Sequence, residues 1–68
     1  MSVYRVTDII GTSKVSWEDA ATTALKTAAG SLRNLRIAEV VEQDITIDAK
    51  GGIEEFRTKL RVSFKYEE

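Results

Sequence analysis

Sixty-eight residues make one small domain with a marginal core, because a chain this short hides only roughly 60% of its unfolded surface. The absence of Cys and His excludes disulfides, thiolate and imidazole metal sites and the commonest general base; oligomerisation is left as the remedy for a thin core, with an oxygen-ligand metal as a lesser addition. Ten basic residues nearly cancel eleven acidic ones, and MSVYRVTDII has neither a signal-peptide pattern nor a membrane span, so we expect no nucleic-acid or membrane partner and a cytoplasmic location.

Positions 2–11 read as a first strand, with Tyr4, Val6, Asp8 and Ile10 on one face and Val3, Arg5, Thr7 and Ile9 on the other. Gly11-Thr12-Ser13 reads as a turn. Ser16 then caps a helix, with Asp19 at the capping-box position and Glu18 and Asp19 near the positive end of the dipole. The helix is expected from Trp17 to about Arg33. Ala21, Ala24, Leu25, Ala28 and Leu32 form a narrow, Ala-rich stripe along it, so it can approach a sheet closely. Gly30 weakens the helix by about 1 kcal/mol relative to Ala and is a candidate early end. Asn34 is a plausible cap.

Leu35 to Asp48, LRIAEVVEQDITID, reads as a long second strand. Its odd positions (Leu35, Ile37, Glu39, Val41, Gln43, Ile45, Ile47) are mostly apolar, and its even positions become charged towards the end. Ala49-Lys50-Gly51-Gly52 closes a hairpin onto a third strand, Ile53 to Tyr66. A four-residue loop places Asp48 opposite Ile53. Counting back pairs Ile45 with Phe56, Asp44 with Arg57, Glu42 with Lys59, Val41 with Leu60 and Ile37 with Phe64. The adjacent Val40-Val41 pair is where a bulge would break that count.

Fourteen strand residues span roughly 46 Å, whereas a seventeen-residue helix spans roughly 25 Å. One helix leaves apolar hairpin uncovered, which another subunit must meet. The expected fold is α+β: β-α-β-β, a three-stranded antiparallel sheet of order 1-3-2 packed on one helix, as a single domain over residues 1–68.

The segments Gly11-Thr12-Ser13, Ser16-Trp17-Glu18-Asp19-Ala20, Ile37-Ala38-Glu39-Val40-Val41-Glu42-Gln43 and Val62-Ser63-Phe64-Lys65 occur in this order over almost the whole chain, and together they resemble the dodecins. That resemblance implies a homododecamer, a hollow shell with 23 symmetry, helices outside and sheets facing inward. It implies binding and storage of flavins such as riboflavin and FMN, with no reaction catalysed. In the family a Trp stacks on the isoalloxazine and a third-strand Gln hydrogen-bonds its polar edge. Here the Trp place is Ile37 and the Gln place is Arg57. Ile has no π-face, and Arg supplies donors but no acceptor, so weakened flavin binding is expected. Family members with this departure have been described as calcium-binding dodecins. Ca²⁺ or Mg²⁺ binding is therefore the alternative expectation, beside a ligand-free structural assembly.

Each candidate also has a plainer reading. Trp17 is a packing residue at the helix start or a subunit contact, not the missing ring. Arg57 opposite Asp44 reads first as a cross-strand ion pair and second as a ligand anchor. Glu42, Asp44 and Asp48 share a strand face that reads first as solvated, balanced by Arg57, Lys59 and Arg61; as a metal site they would supply hard oxygens, pooled between symmetry copies. Glu39, an acid on the apolar face, calls for a basic partner across an interface. The register puts Ile37 and Arg57 on opposite faces, so a shared pocket needs either two subunits or a bulge.

Overall fold

The backbone of Ser16 is extended (φ −167°), and its Oγ accepts the amide of Asp19 at 3.0 Å, which starts helix α1 (Trp17–Ala29). The Asp19 carboxylate does not close a capping box; it accepts the hydroxyl of buried Ser13 at 2.7 Å. Ser13 Oγ in turn accepts the amides of Val15 and Ser16. The structure, a computed structural model, describes residues 1–66. In it β1 (Tyr4–Ser13), β2 (Leu35–Ile47) and β3 (Ile53–Lys65) form an antiparallel sheet of order β1-β3-β2, with α1 between β1 and β2 in sequence. This is the expected α+β arrangement. No helix of the described residues is long and apolar enough to cross a membrane.

Gly11-Thr12-Ser13 is strand, not turn: all three pair with β3, opposite Thr58, Arg57 and Phe56. Gly11 is there for packing. A Cβ at that position would run into the Ala20 carbonyl and lie 2.8 Å from Ala24 Cβ, so only Gly lets β1 and α1 approach this closely. The facing helix side is correspondingly small, with Ala20, Ala24 and Ala28 buried. The core they close over is Leu60 and Val62 with Ala24, flanked by Ile9, Ala21, Leu25 and Leu35.

The helix ends at Ala29 rather than near Arg33. Gly30 is its C-cap, and the amides of Ser31 and Leu32 turn back to the Ala28 carbonyl, at 3.0 and 2.7 Å. Asn34 takes a left-handed conformation (φ 59°), which redirects the chain into β2. With thirteen residues, α1 is roughly 20 Å long, against a molecule 52 Å in its longest dimension. Much of the hairpin therefore has no helix over it. Ile37, Val40, Ile47 and Ile53 are each more than half exposed.

The β2–β3 register follows the count from the hairpin only as far as Glu42. Ile45 faces Phe56, Asp44 faces Arg57 and Glu42 faces Lys59. Val41 is then bulged out, so Leu60 meets Val40 rather than Val41; a second irregularity at Arg36 leaves Ile37 opposite Ser63 rather than Phe64. Near the turn a further shift pairs Ile47, not Asp48, with Ile53.

Candidate functional site

Thr58, Leu60 and Val62 are buried under the helix, so the even positions of β3 face α1 and the odd positions face away. Residues paired across a strand share a face. The face away from the helix thus carries Arg57, Lys59, Arg61 and Ser63 of β3. From β1 it carries Val6, Asp8, Ile10 and Thr12, and from β2 it carries Ile37, Glu39, Glu42, Asp44 and Thr46. The Val41 bulge changes the reading of β2. Ile37 and Glu39 belong to this open face together with Arg57, and Glu39 is not an acid stranded on an apolar one.

Ile37 and Arg57 thus share a face, yet they are not neighbours. Ile37 is level with Ser63, six residues along β3 from Arg57, or roughly 20 Å. No single ring could touch both within one chain.

Two guanidinium forks organise the face. Arg57 donates from Nε and Nη2 to the two carboxylate oxygens of Asp44, at 2.7 and 2.9 Å. Arg61 grips Asp8 of β1 in the same way, at 2.9 and 3.1 Å, with Lys59 Nζ at 4.0 Å from the same carboxylate. Hydrogen bonding to the guanidinium holds both carboxyls below the usual carboxylate range, against a smaller opposing effect of desolvation. Arg57 and Arg61 are raised in turn, first by the same hydrogen bonds and last by the nearby charges of Glu42 and Glu39 respectively. Glu39 stands opposite Arg61 in the register, but the Arg61 guanidinium is engaged with Asp8 and forms no ion pair with it. The pair Asp8–Arg61 joins residues 53 apart in sequence, and no hairpin count reaches it.

The three candidate metal carboxylates are differently employed. Asp44 is held by Arg57 through both oxygens. Asp48 lies past the end of β2, where its Oδ1 accepts the amides of Lys50 and Gly52, each at 2.9 Å, and shapes the turn that Gly51 completes at φ 86°. Glu42 is exposed and makes no hydrogen bond or ion pair among the described residues. Within one chain, no three Asp or Glu of the described residues come together as a metal site.

Trp17 fastens this end of the sheet to the helix. Its Nε1 donates to the Asp44 carbonyl at 3.0 Å, and its ring meets Phe56 edge-on at 5.1 Å. Its own carbonyl accepts the hydroxyl of fully buried Thr58 at 2.9 Å. It is the packing residue its position suggested, and it steadies the strand that carries Asp44.

Comparison with known proteins places this geometry. The family model for dodecins matches residues 3–67. The chain is 54% identical over 65 residues to calcium dodecin of Mycobacterium tuberculosis, covering 96% of this chain and 90% of that one. It is 38% identical over 66 residues to dodecin of Thermus thermophilus, covering 97% and 94%. Among solved structures, dodecin from Streptomyces davaonensis superposes with a TM-score of 0.91 at 34% identity, covering 98% and 97% of the two chains. The crystal structure of the M. tuberculosis calcium dodecin, described as having a novel calcium-binding site, superposes at 0.86 with 52% identity, covering 97% and 93%.

Proposed function

The chain belongs to the dodecin family, and from that premise we propose that copies of it assemble into a hollow dodecameric shell that binds Ca²⁺ and holds flavin only weakly. Dodecins are small binding proteins rather than enzymes. The observation that carries the reading is the Asp44–Arg57 fork, with Ile37 on the same face. At the two places where flavin-binding dodecins offer an indole and an amide, this chain offers an alkyl group and a guanidinium already engaged with a carboxylate. Neither residue fits the flavin ring.

The acids fit Ca²⁺ better, though not within one chain. The ion takes six to eight oxygens, and Glu42 with the remaining oxygen of Asp48 is far short of that. Symmetry copies that bring the hairpin acids Glu42, Asp44 and Asp48 together would supply the rest. The M. tuberculosis relative, a calcium dodecin, supports this choice over Mg²⁺ and over an empty shell. The uncovered apolar hairpin supports assembly.

The test is calorimetric titration of Ca²⁺ into chelator-treated protein, with native mass spectrometry of the same sample. Saturable heat and a raised melting temperature on a twelve-subunit species are expected. A lack of both heat and shift removes the calcium assignment, and a stable monomer removes the shell.

A further inference from the structure

Asp44, one of the three hairpin acids assigned to Ca²⁺, is already committed to another cation. Both of its carboxylate oxygens accept from the Arg57 guanidinium, at 2.7 and 2.9 Å. A two-bond fork of this kind is the strong form of a charge-assisted pair. Each oxygen keeps a second lone pair. A cation bound there would nevertheless lie on the order of 4–5 Å from the guanidinium, given metal–oxygen distances of about 2.3–2.6 Å, and the two charges repel. Glu42, the other strand acid of the set, also attracts Arg57.

Asp44 does not need Arg57 to hold its place. Its carbonyl accepts the Trp17 indole N–H at 3.0 Å, and its strand stays in register with β3 from Ile45 opposite Phe56 to Glu42 opposite Lys59. The fold core lies on the far side of the sheet, and the two side chains of the fork are 39% and 42% exposed. Removing the guanidinium therefore frees the carboxylate without moving the backbone that carries it.

We propose that Arg57 sets the affinity of the open face for Ca²⁺ by competing for Asp44 from within the chain. It is a built-in counter-cation, present on the carboxylate before any ion arrives, and it lowers the affinity rather than contributing a ligand. The role rests on the calcium assignment above and adds to it the residue that opposes the ion. The second fork provides a matched comparison. Arg61 holds Asp8 in the same geometry, at 2.9 and 3.1 Å. It stands four residues along β3 from Arg57, roughly 13 Å away, and Asp8 is not among the acids assigned to the ion.

The experiment is calorimetric titration of Ca²⁺ into assembled, chelator-treated protein at about 0.1 M salt, where charges more than about 10 Å apart are largely screened. Arg57→Gln should bind Ca²⁺ about fivefold more tightly than wild type, the upper end for an exposed pair. Arg57→Lys keeps the charge but cannot fork, and should fall between the two. Arg61→Gln removes an equal charge and an equal fork, and should leave Ca²⁺ affinity unchanged. In an Asp44→Asn background, Arg57→Gln should change the affinity by less than about twofold, because the group competed for is gone. Melting curves give a second readout. Without Ca²⁺, Arg57→Gln should melt no higher than wild type, yet its rise in melting temperature at a fixed Ca²⁺ concentration should be larger, which a merely structural role would not produce. A wild type that binds Ca²⁺ and an Arg57→Gln protein that binds it no more tightly overturn the proposal alone. An equal gain in Arg61→Gln overturns it too, because net charge would then be the cause, as does a gain that persists without Asp44. A wild type that takes up no Ca²⁺ removes the calcium assignment itself, and this role with it.

Discussion

Replacing Ile37 by Trp should raise flavin affinity, which the proposed function takes to be weak. Ile37 is 63% exposed and sits opposite the small Ser63, so an indole there displaces no core residue. Two contributions follow. Ring stacking adds about 0.5–1.5 kcal/mol beyond area burial. Some 50–100 Å² of extra apolar surface removed from water adds about 1.3–2.5 kcal/mol. The sum is about 2–4 kcal/mol, a gain of roughly 30- to 900-fold. Riboflavin titration followed by flavin fluorescence reads it directly, because stacking on indole quenches emission. Ile37→Leu, which changes shape without adding a π-face, should leave affinity at the wild-type level. Adding Arg57→Gln should raise affinity further, since the amide both donates and accepts. The reasoning is refuted if an assembled Ile37→Trp protein binds riboflavin no better than wild type, or if Ile37→Leu gains as much.

Thr58→Val keeps the buried shape but removes the side-chain bond to the Trp17 carbonyl, which keeps its helical amide, so unfolding should be easier by about 0.5–1.5 kcal/mol in a urea titration followed by Trp17 fluorescence. Thr58→Ser retains the bond and should cost about the value of one buried methyl group. Gly11→Ala should destabilise by about 1–3 kcal/mol or more, because α1 must lift off β1; an unchanged urea midpoint would contradict the close approach of the two elements. Asp8 and Asp44 are shifted below the usual carboxylate value of 3.8, so their folded forms hold protons less tightly than the unfolded chain does. Their contribution to stability is fully present above that value and is lost as pH falls through the lowered folded values. Arg61→Gln and Arg57→Gln should flatten this acid limb in melting curves recorded from pH 5 to 2.

The far half of the hairpin was legible because its turn has a physical signature. The loop Ala49-Lys50-Gly51-Gly52 set the count, although Asp48, read as a strand residue opposite Ile53, instead shapes the turn by accepting the amides of Lys50 and Gly52 while Gly51 takes positive φ, and Ile47 meets Ile53. From there acid meets base and apolar meets apolar down to Glu42 and Lys59. The count failed at Val40-Val41, where two adjacent apolar residues fit either face and the alternation carries no information. One bulge there moved Ile37 and Glu39 to the open face, and with them the apparent site. Gly11 misled for a related reason. A glycine needed for a turn and one needed for close packing look alike until the helix is in place. The Asp8–Arg61 fork was beyond reach altogether, because the β1–β3 register depends on how the helix returns the chain.

The open face also suggests why this fold can exchange one kind of ligand for another. The residues that hold the fold together, Ala24, Leu60 and Val62 with Gly11 and Thr58, lie between sheet and helix. Ile37, Glu42 and Arg57 lie on the other side and take no part in that packing. Substituting them changes what the face can bind while leaving the core untouched, so the chemistry can drift faster than the architecture. Ile37 and Arg57 are too far apart to serve one ligand within a chain, so a pocket that uses both is completed by a second copy. Assembly therefore bears directly on binding. A substitution that separates subunits, such as Ile47→Glu on the exposed hairpin, should abolish ligand binding even though every residue of one chain's face remains in place. Retention of Ca²⁺ heat by a folded Ile47→Glu monomer would show instead that one chain suffices.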